Sequence, residues 1–117
     1  MGAELMANTY IDANRIPRTA IAGAGEVAEI LNNQLAGAKN VVARLHWLNR
    51  GDRLDAGEPG FHHLLYLMEG EATITLNGSD HEVGKGAGIY LGPSETARIE
   101  HAGSSPAKLF HVSVPKL

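Results

Sequence analysis

The stretch EATITLNG, Glu71 to Gly78, narrows the fold more than any other part of the chain. Ala72, Ile74 and Leu76 fall on one side of an extended backbone, and Glu71, Thr73 and Thr75 on the other, the period-two pattern of a half-buried strand. Asn77-Gly78 follows at once. That dipeptide tolerates the two positive φ angles of a type I′ turn, so the chain is expected to reverse there and pair with His81 to Val83.

Further strands are expected at Val41 to Leu48, Phe61 to Met68, Ile89 to Leu91, Ala97 to His101 and Leu109 to Val114. Strands at this density, punctuated by Gly, Pro and Asn, point to an all-β antiparallel sandwich or barrel. A length of 117 residues suits one domain, and 44% hydrophobic with 20% charged residues is the balance of a chain that packs a core. Phe61 to Met68 is apolar on both faces. Such a strand needs cover on both sides, which argues for a homodimer or for an N-terminal segment laid over the barrel. Val27, Ile30, Leu31 and Leu35 have helical spacing, yet Val27 to Leu31 is equally readable as a strand running into Asn32-Asn33-Gln34.

Several function classes drop out. The net charge of −3 and the absence of a Lys/Arg run leave no footprint for nucleic acid or anionic membrane. Without cysteine there is no disulfide, thiolate metal site or cysteine nucleophile. The first residues lack the basic start and apolar run of a secretory signal, and no apolar segment is long enough to span a bilayer, so the cytoplasm is the expected location. The glycine-rich GKGAG, Gly84 to Gly88, lies between strands and opens no helix, so it reads as a turn.

The block YLMEGEATITLNG, with KGAGIYLGPSETARIEH after it, resembles the two signature motifs of the cupin superfamily, small β-barrels. Tyr66 to Glu71, closed by Gly78, matches the first; the second starts at Gly86, with Ala87 in the place of its aspartate and Gly92 in the place of its proline. The resemblance runs from about Val41 to the C-terminus and implies a cupin-type barrel (double-stranded β-helix or jelly roll) at 41–117. It also implies strands ahead of the first motif, which favours the strand reading of Val27 to Leu31. Residues 1–40 are then an N-terminal segment that covers the barrel or is exchanged with a partner.

Members of that family usually hold a metal with a His-x-His pair, a glutamate and a later histidine. By resemblance these positions fall here on Gly57 and Pro59 (or Ala56 and Glu58 on a longer loop), His63 and Ala97. None holds its usual ligand. His63 in the glutamate position resembles the ureidoglycine aminohydrolase branch, whose remaining ligands are replaced, on the shorter loop, by Gly57, Pro59 and Ala97. A divalent transition metal needs about three protein ligands in fixed geometry, so no cofactor is expected. The alternative is a rebuilt site from His63, Glu58, His46 and His111.

The expected site is thus an apolar lumen with one imidazole. His63, Leu65, Leu67, Ala97 and Ile99 are expected to line it, with His46, His111 and Tyr90 as further contacts for a small organic ligand. His62 and His63 are adjacent on a strand, point to opposite faces and cannot share an ion. The leading expectation is a small-molecule-binding cupin in which His63 serves as acid or base beside Glu58, with Tyr90 orienting a substrate oxygen, in a metal-independent lyase or isomerase. A metal-dependent oxygenase or aminohydrolase and a non-catalytic sensor or interaction module are the alternatives. His63, Glu58 and Tyr90 are the candidate catalytic residues.

Overall fold

The structure, a computed structural model, describes residues 12–32 and 40–116. After a short 3-10 turn at Ala13–Arg15 come ten strands: β1 Thr19–Ala20, β2 Glu26–Leu31, β3 Val42–Leu48, β4 Arg53–Ala56, β5 Phe61–Glu69, β6 Glu71–Leu76, β7 Ser79–Gly84, β8 Gly88–Leu91, β9 Ala97–Ala102 and β10 Ala107–Pro115. They form two antiparallel sheets, β1-β2-β3-β10-β5-β8 and β4-β9-β6-β7. This is the all-β antiparallel two-sheet architecture expected from the strand pattern.

The Asn77-Gly78 turn is where it was expected, with φ of 51° and 79°, and it sets Leu76 opposite Ser79 and Ile74 opposite His81. Val27 to Leu31 is strand. Its helical spacing is overridden because β2 pairs with β3, Val27 opposite His46 and Ala28 opposite Leu45. β4 was not anticipated. Its outward Arg53 and Asp55 mask the inward Leu54 and Ala56, and only pairing with β9 reveals the strand. Of the N-terminal segment, residues 1–11 and 33–39 lie outside the described residues.

One core joins the sheets. Leu48, Leu65, Leu67 and Leu109 from the six-stranded sheet meet Ile74 and Ile99 from the other. Each such side chain contributes roughly 1.5–3 kcal/mol on burial. The outer face of β5 is the opposite case: Leu64 and Tyr66 are 48% and 45% exposed, and Tyr90 beside them on β8 is 60% exposed. Trp47, on the outer face of β3, is capped by the Arg18 guanidinium 3.7 Å from its ring centroid, a cation–π contact that ties the segment before β1 to the sheet.

The loop between β4 and β5, residues 57–60, positions the site described next. The Gly60 N–H donates to Pro93 O (3.1 Å) and the Lys116 N–H to Gly60 O (2.8 Å). Gly57 has φ 112°, and a Cβ there would run into Glu95 O and lie 2.8 Å from Thr96 Cα. Gly78 also has positive φ but faces open space. Gly57→Ala is therefore expected to cost roughly 2–4 kcal/mol against about 1 kcal/mol for Gly78→Ala, measured by urea unfolding. Equal losses would contradict the packing of this loop against the β8–β9 connection.

Candidate functional site

Strand parity gathers three histidines. β10 alternates Ala107, Leu109, His111, Ser113 inward, β5 His63, Leu65, Leu67, and β3 Arg44, His46, Leu48. The register sets Ser113 opposite His63, His111 opposite both Leu65 and Arg44, and Leu109 opposite His46. His46, His63, His111 and Ser113 are only 3–6% exposed. Polar groups that deep are costly unless hydrogen-bonded. No buried side-chain nitrogen or oxygen among the described residues is without a partner.

The partners are mostly one another. His63 Nδ1 lies 2.9 Å from His111 Nε2, and His111 Nδ1 lies 3.0 Å from His46 Nε2. Ser113 Oγ sits 3.1 Å from His63 Nδ1 and 3.3 Å from His111 Nε2, and accepts from Arg44 Nη1 at 3.4 Å. Arg44 Nε in turn donates to Glu29 Oε2 at 3.4 Å. At the loop end, the Glu58 backbone N–H donates to His63 Nε2 at 3.0 Å. A polar line thus runs from Glu29 at the surface through Arg44 and Ser113 to the imidazoles.

Burial pushes the His46 pKa from 6.5 down to about 4, with the Arg44 charge adding to it. Burial also takes His111 to about 3, helped by His46, Arg44 and His63. His63 is lowered too, chiefly by burial, with the Glu58 carboxylate pulling the other way. All three are neutral at pH 7.

Several expected site residues lie elsewhere. Tyr90, expected beside His63, faces outward instead: it pairs with Leu64, and its hydroxyl is 2.6 Å from His62 Nδ1 with the rings stacked. The reason is parity, because Leu91 is the β8 residue opposite His63. Glu58 is exposed and meets His63 through its amide, not through a carboxylate hydrogen bond. Leu65, Leu67 and Ile99 are at most 1% exposed and form the centre of the packed core. Ala97 borders an outer groove of about 550 Å³ on the other sheet, with Gly57, Asp55, Thr75, Thr96 and Arg98. His101 bonds Ser105 O in the β9–β10 turn, away from the other histidines. Arg44 and Ser113 were not singled out by the sequence, although each stands two residues from a histidine and so shares its face.

The same geometry tests a metal site. Glu58, His63, His46 and His111 do not converge: His111 turns its two nitrogens toward different rings, and the Glu58 carboxylate is not part of the set. The three atoms that do meet are two imidazole nitrogens and a neutral hydroxyl, with a guanidinium 3.4 Å from that hydroxyl. Among the described residues no three His, Cys, Asp or Glu side chains are arranged to hold an ion. In this arrangement the residues do not fit a divalent metal.

Neutral burial has a pH signature. An imidazole whose folded pKa is depressed binds fewer protons folded than unfolded between the two values, so stability rises with pH across that window. For His46 and His111 the window runs from about 4 and about 3 up to 6.5, and each is worth on the order of a few kcal/mol across it. Unfolding free energy is expected to fall steeply from pH 7 to pH 4.5, and the slope to shrink in His111→Phe. A flat profile would mean that the imidazoles are not buried neutral.

The chain resembles known proteins at three levels. A crystal structure of a predicted oxalate decarboxylase from Thermotoga maritima superposes with TM-score 0.80 at 20% identity, covering 92% of this chain and 99% of that one. The polyketide cyclase RemF from Streptomyces resistomycificus gives 0.75 at 18% identity, covering 92% and 79%. An RmlC-like cupin from Shewanella frigidimarina gives 0.74 at 13%, covering 95% and 94%. These likenesses show the fold. An uncharacterized protein of Methanocaldococcus jannaschii is 36% identical over 52 residues, 44% of this chain and 42% of that protein, so the chain spans under half of that relative's length. The profile of the AraC-like ligand binding domain matches residues 40–116, which covers every element of the imidazole line except β2, and the chain accordingly belongs to that family of cupin-type domains.

Proposed function

We propose that the protein is a small-molecule-binding cupin whose ligand docks at the loop end of the imidazole line, against His63, Ser113, His111 and Arg44. The observation that carries this reading is the line itself. Three neutral imidazoles, a hydroxyl and a guanidinium converge on one inward face beside an apolar core, the mix of a few placed polar groups among apolar side chains that suits a small-ligand site. Membership of a ligand-binding family supports the same reading.

The loop Gly57 to Gly60 covers that end, and its Glu58 amide is the group a ligand displaces. Neutral at pH 7, His63 is suited to accept a proton and not to donate one. The finer form of the reading is a metal-independent lyase or isomerase with His63 as base, in which Arg44 offsets the negative charge left on the substrate. Tyr90 takes no part, since it faces outward. With no charge pattern for nucleic acid and no helix among the described residues able to cross a membrane, the reading places the protein in the cytoplasm.

A homodimer belongs to the reading as well. Leu64, Tyr66 and Tyr90 are exposed on one sheet face, with Phe110 and Val112 beside them on β10, and a second copy would bury that apolar surface.

The binding claim is tested by thermal shift against a panel of small organic molecules. A ligand at one hundred times its Kd stabilises by about 2.7 kcal/mol, and Ser113→Ala or Arg44→Ala is expected to weaken it at least tenfold. A ligand that binds those variants unchanged would move the site elsewhere. Leu64→Glu with Tyr66→Glu is expected to halve the mass seen by light scattering; a wild-type chain that is monomeric at tens of micromolar would overturn the dimer.

A further inference from the structure

The direction of every hydrogen bond in the imidazole line follows from one backbone group, with a consequence for what the site accepts. The Glu58 N–H can only donate, so His63 Nε2 must offer a lone pair. A protonated Nε2 would set two donors face to face at 3.0 Å. His63 is therefore neutral and carries its proton on Nδ1. That proton points at His111 Nε2 and Ser113 Oγ, 2.9 and 3.1 Å away, so His111 Nε2 is an acceptor and His111 holds its proton on Nδ1. This second N–H donates to His46 Nε2 at 3.0 Å, which puts the His46 proton on Nδ1 too. A free, neutral histidine side chain favours the opposite tautomer, with the proton on Nε2.

We infer that the Glu58 amide sets, and His111 and His46 as positioning residues hold, the Nδ1–H tautomer of His63, so that the site presents an unprotonated Nε2 to an incoming ligand and selects those bearing an O–H or N–H donor to replace the Glu58 amide. This rests on the proposed binding reading but goes further, because it names the atom that selects and the chemistry it selects. Reversing the His63 tautomer would leave lone pairs facing each other along the line unless His111 and His46 turned as well, so the lock is collective. A carboxylate or ether oxygen placed at His63 Nε2 meets a lone pair, and is disfavoured because accommodating it takes the reversal of all three rings together. A hydroxyl, amide or protonated amine completes the bond.

The lock is read directly by long-range 1H–15N spectra of the full chain, labelled on histidine, at pH 7. All three residues are expected to show a protonated Nδ1 and an unprotonated Nε2. A protonated Nε2 on His63 overturns the lock. In His111→Phe, His46 loses its enforcing donor and is expected to revert to the Nε2–H form; if it keeps Nδ1–H, the line does not set its tautomer. Should that variant fail to fold, the wild-type pattern decides alone. The selection is read with phenol and anisole, a donor and its methylated counterpart. Phenol is expected to shift the Glu58 amide and the His63 nitrogens and anisole to leave them, whereas equal responses, or none to phenol, overturn the donor requirement. A correct tautomer pattern together with no response to any small molecule would leave the lock standing and remove the binding reading, so the two fail separately.

Discussion

An imidazole enclosed in a sheet interior has two nitrogens to satisfy and little means of carrying charge. One such ring can be served by a backbone group. Three adjacent rings are served largely by each other, and only if every ring donates in the same sense, because two lone pairs or two protons meeting at about 3 Å repel. In this protein the Glu58 amide fixes that sense at one end, and His63, His111 and His46 follow it inward. Removing any one ring strands the next, so the desolvation cost of an unpaired ring holds the line together.

Much of the fold can be read from residue order. Alternation in Glu71 to Leu76 and the Asn77-Gly78 turn dictate a hairpin locally, without reference to the rest of the chain. Val27 to Leu31 needed more, since its spacing alone favoured a helix and the pairing with β3 decided the matter. β4 is hidden by its charged outer residues. The site is legible only in pieces. His63 could be singled out, and His46 and His111 flagged, but whether their parity faced inward depended on pairings between strands 65 and 48 residues apart. One residue of parity removed Tyr90 from the site. Ser113 and Arg44 entered by the same rule, each two positions from a histidine.

The chemistry of the interior departs from the metal-binding pattern that its motifs resemble. By that resemblance the usual ligand positions fall on Gly57 and Pro59, or Ala56 and Glu58, with His63 and Ala97, and the one imidazole among them is turned into a hydrogen-bonding role. Nitrogen atoms that would otherwise converge on an ion are spent on neighbouring rings, and the nearest charge is a guanidinium. The fold is shared with proteins as different as a predicted oxalate decarboxylase and a polyketide cyclase; in this chain it carries a neutral, directional polar line beside an apolar core, capped at one end by the loop 57–60.

Neutron diffraction from deuterium-exchanged crystals at pH 7 tests that account most directly. It predicts a deuteron on Nδ1 of His63, His111 and His46, with His63 Nε2 bare and facing the Glu58 amide. A deuteron on His63 Nε2, a doubly protonated ring, or an ion held between the histidines would contradict it.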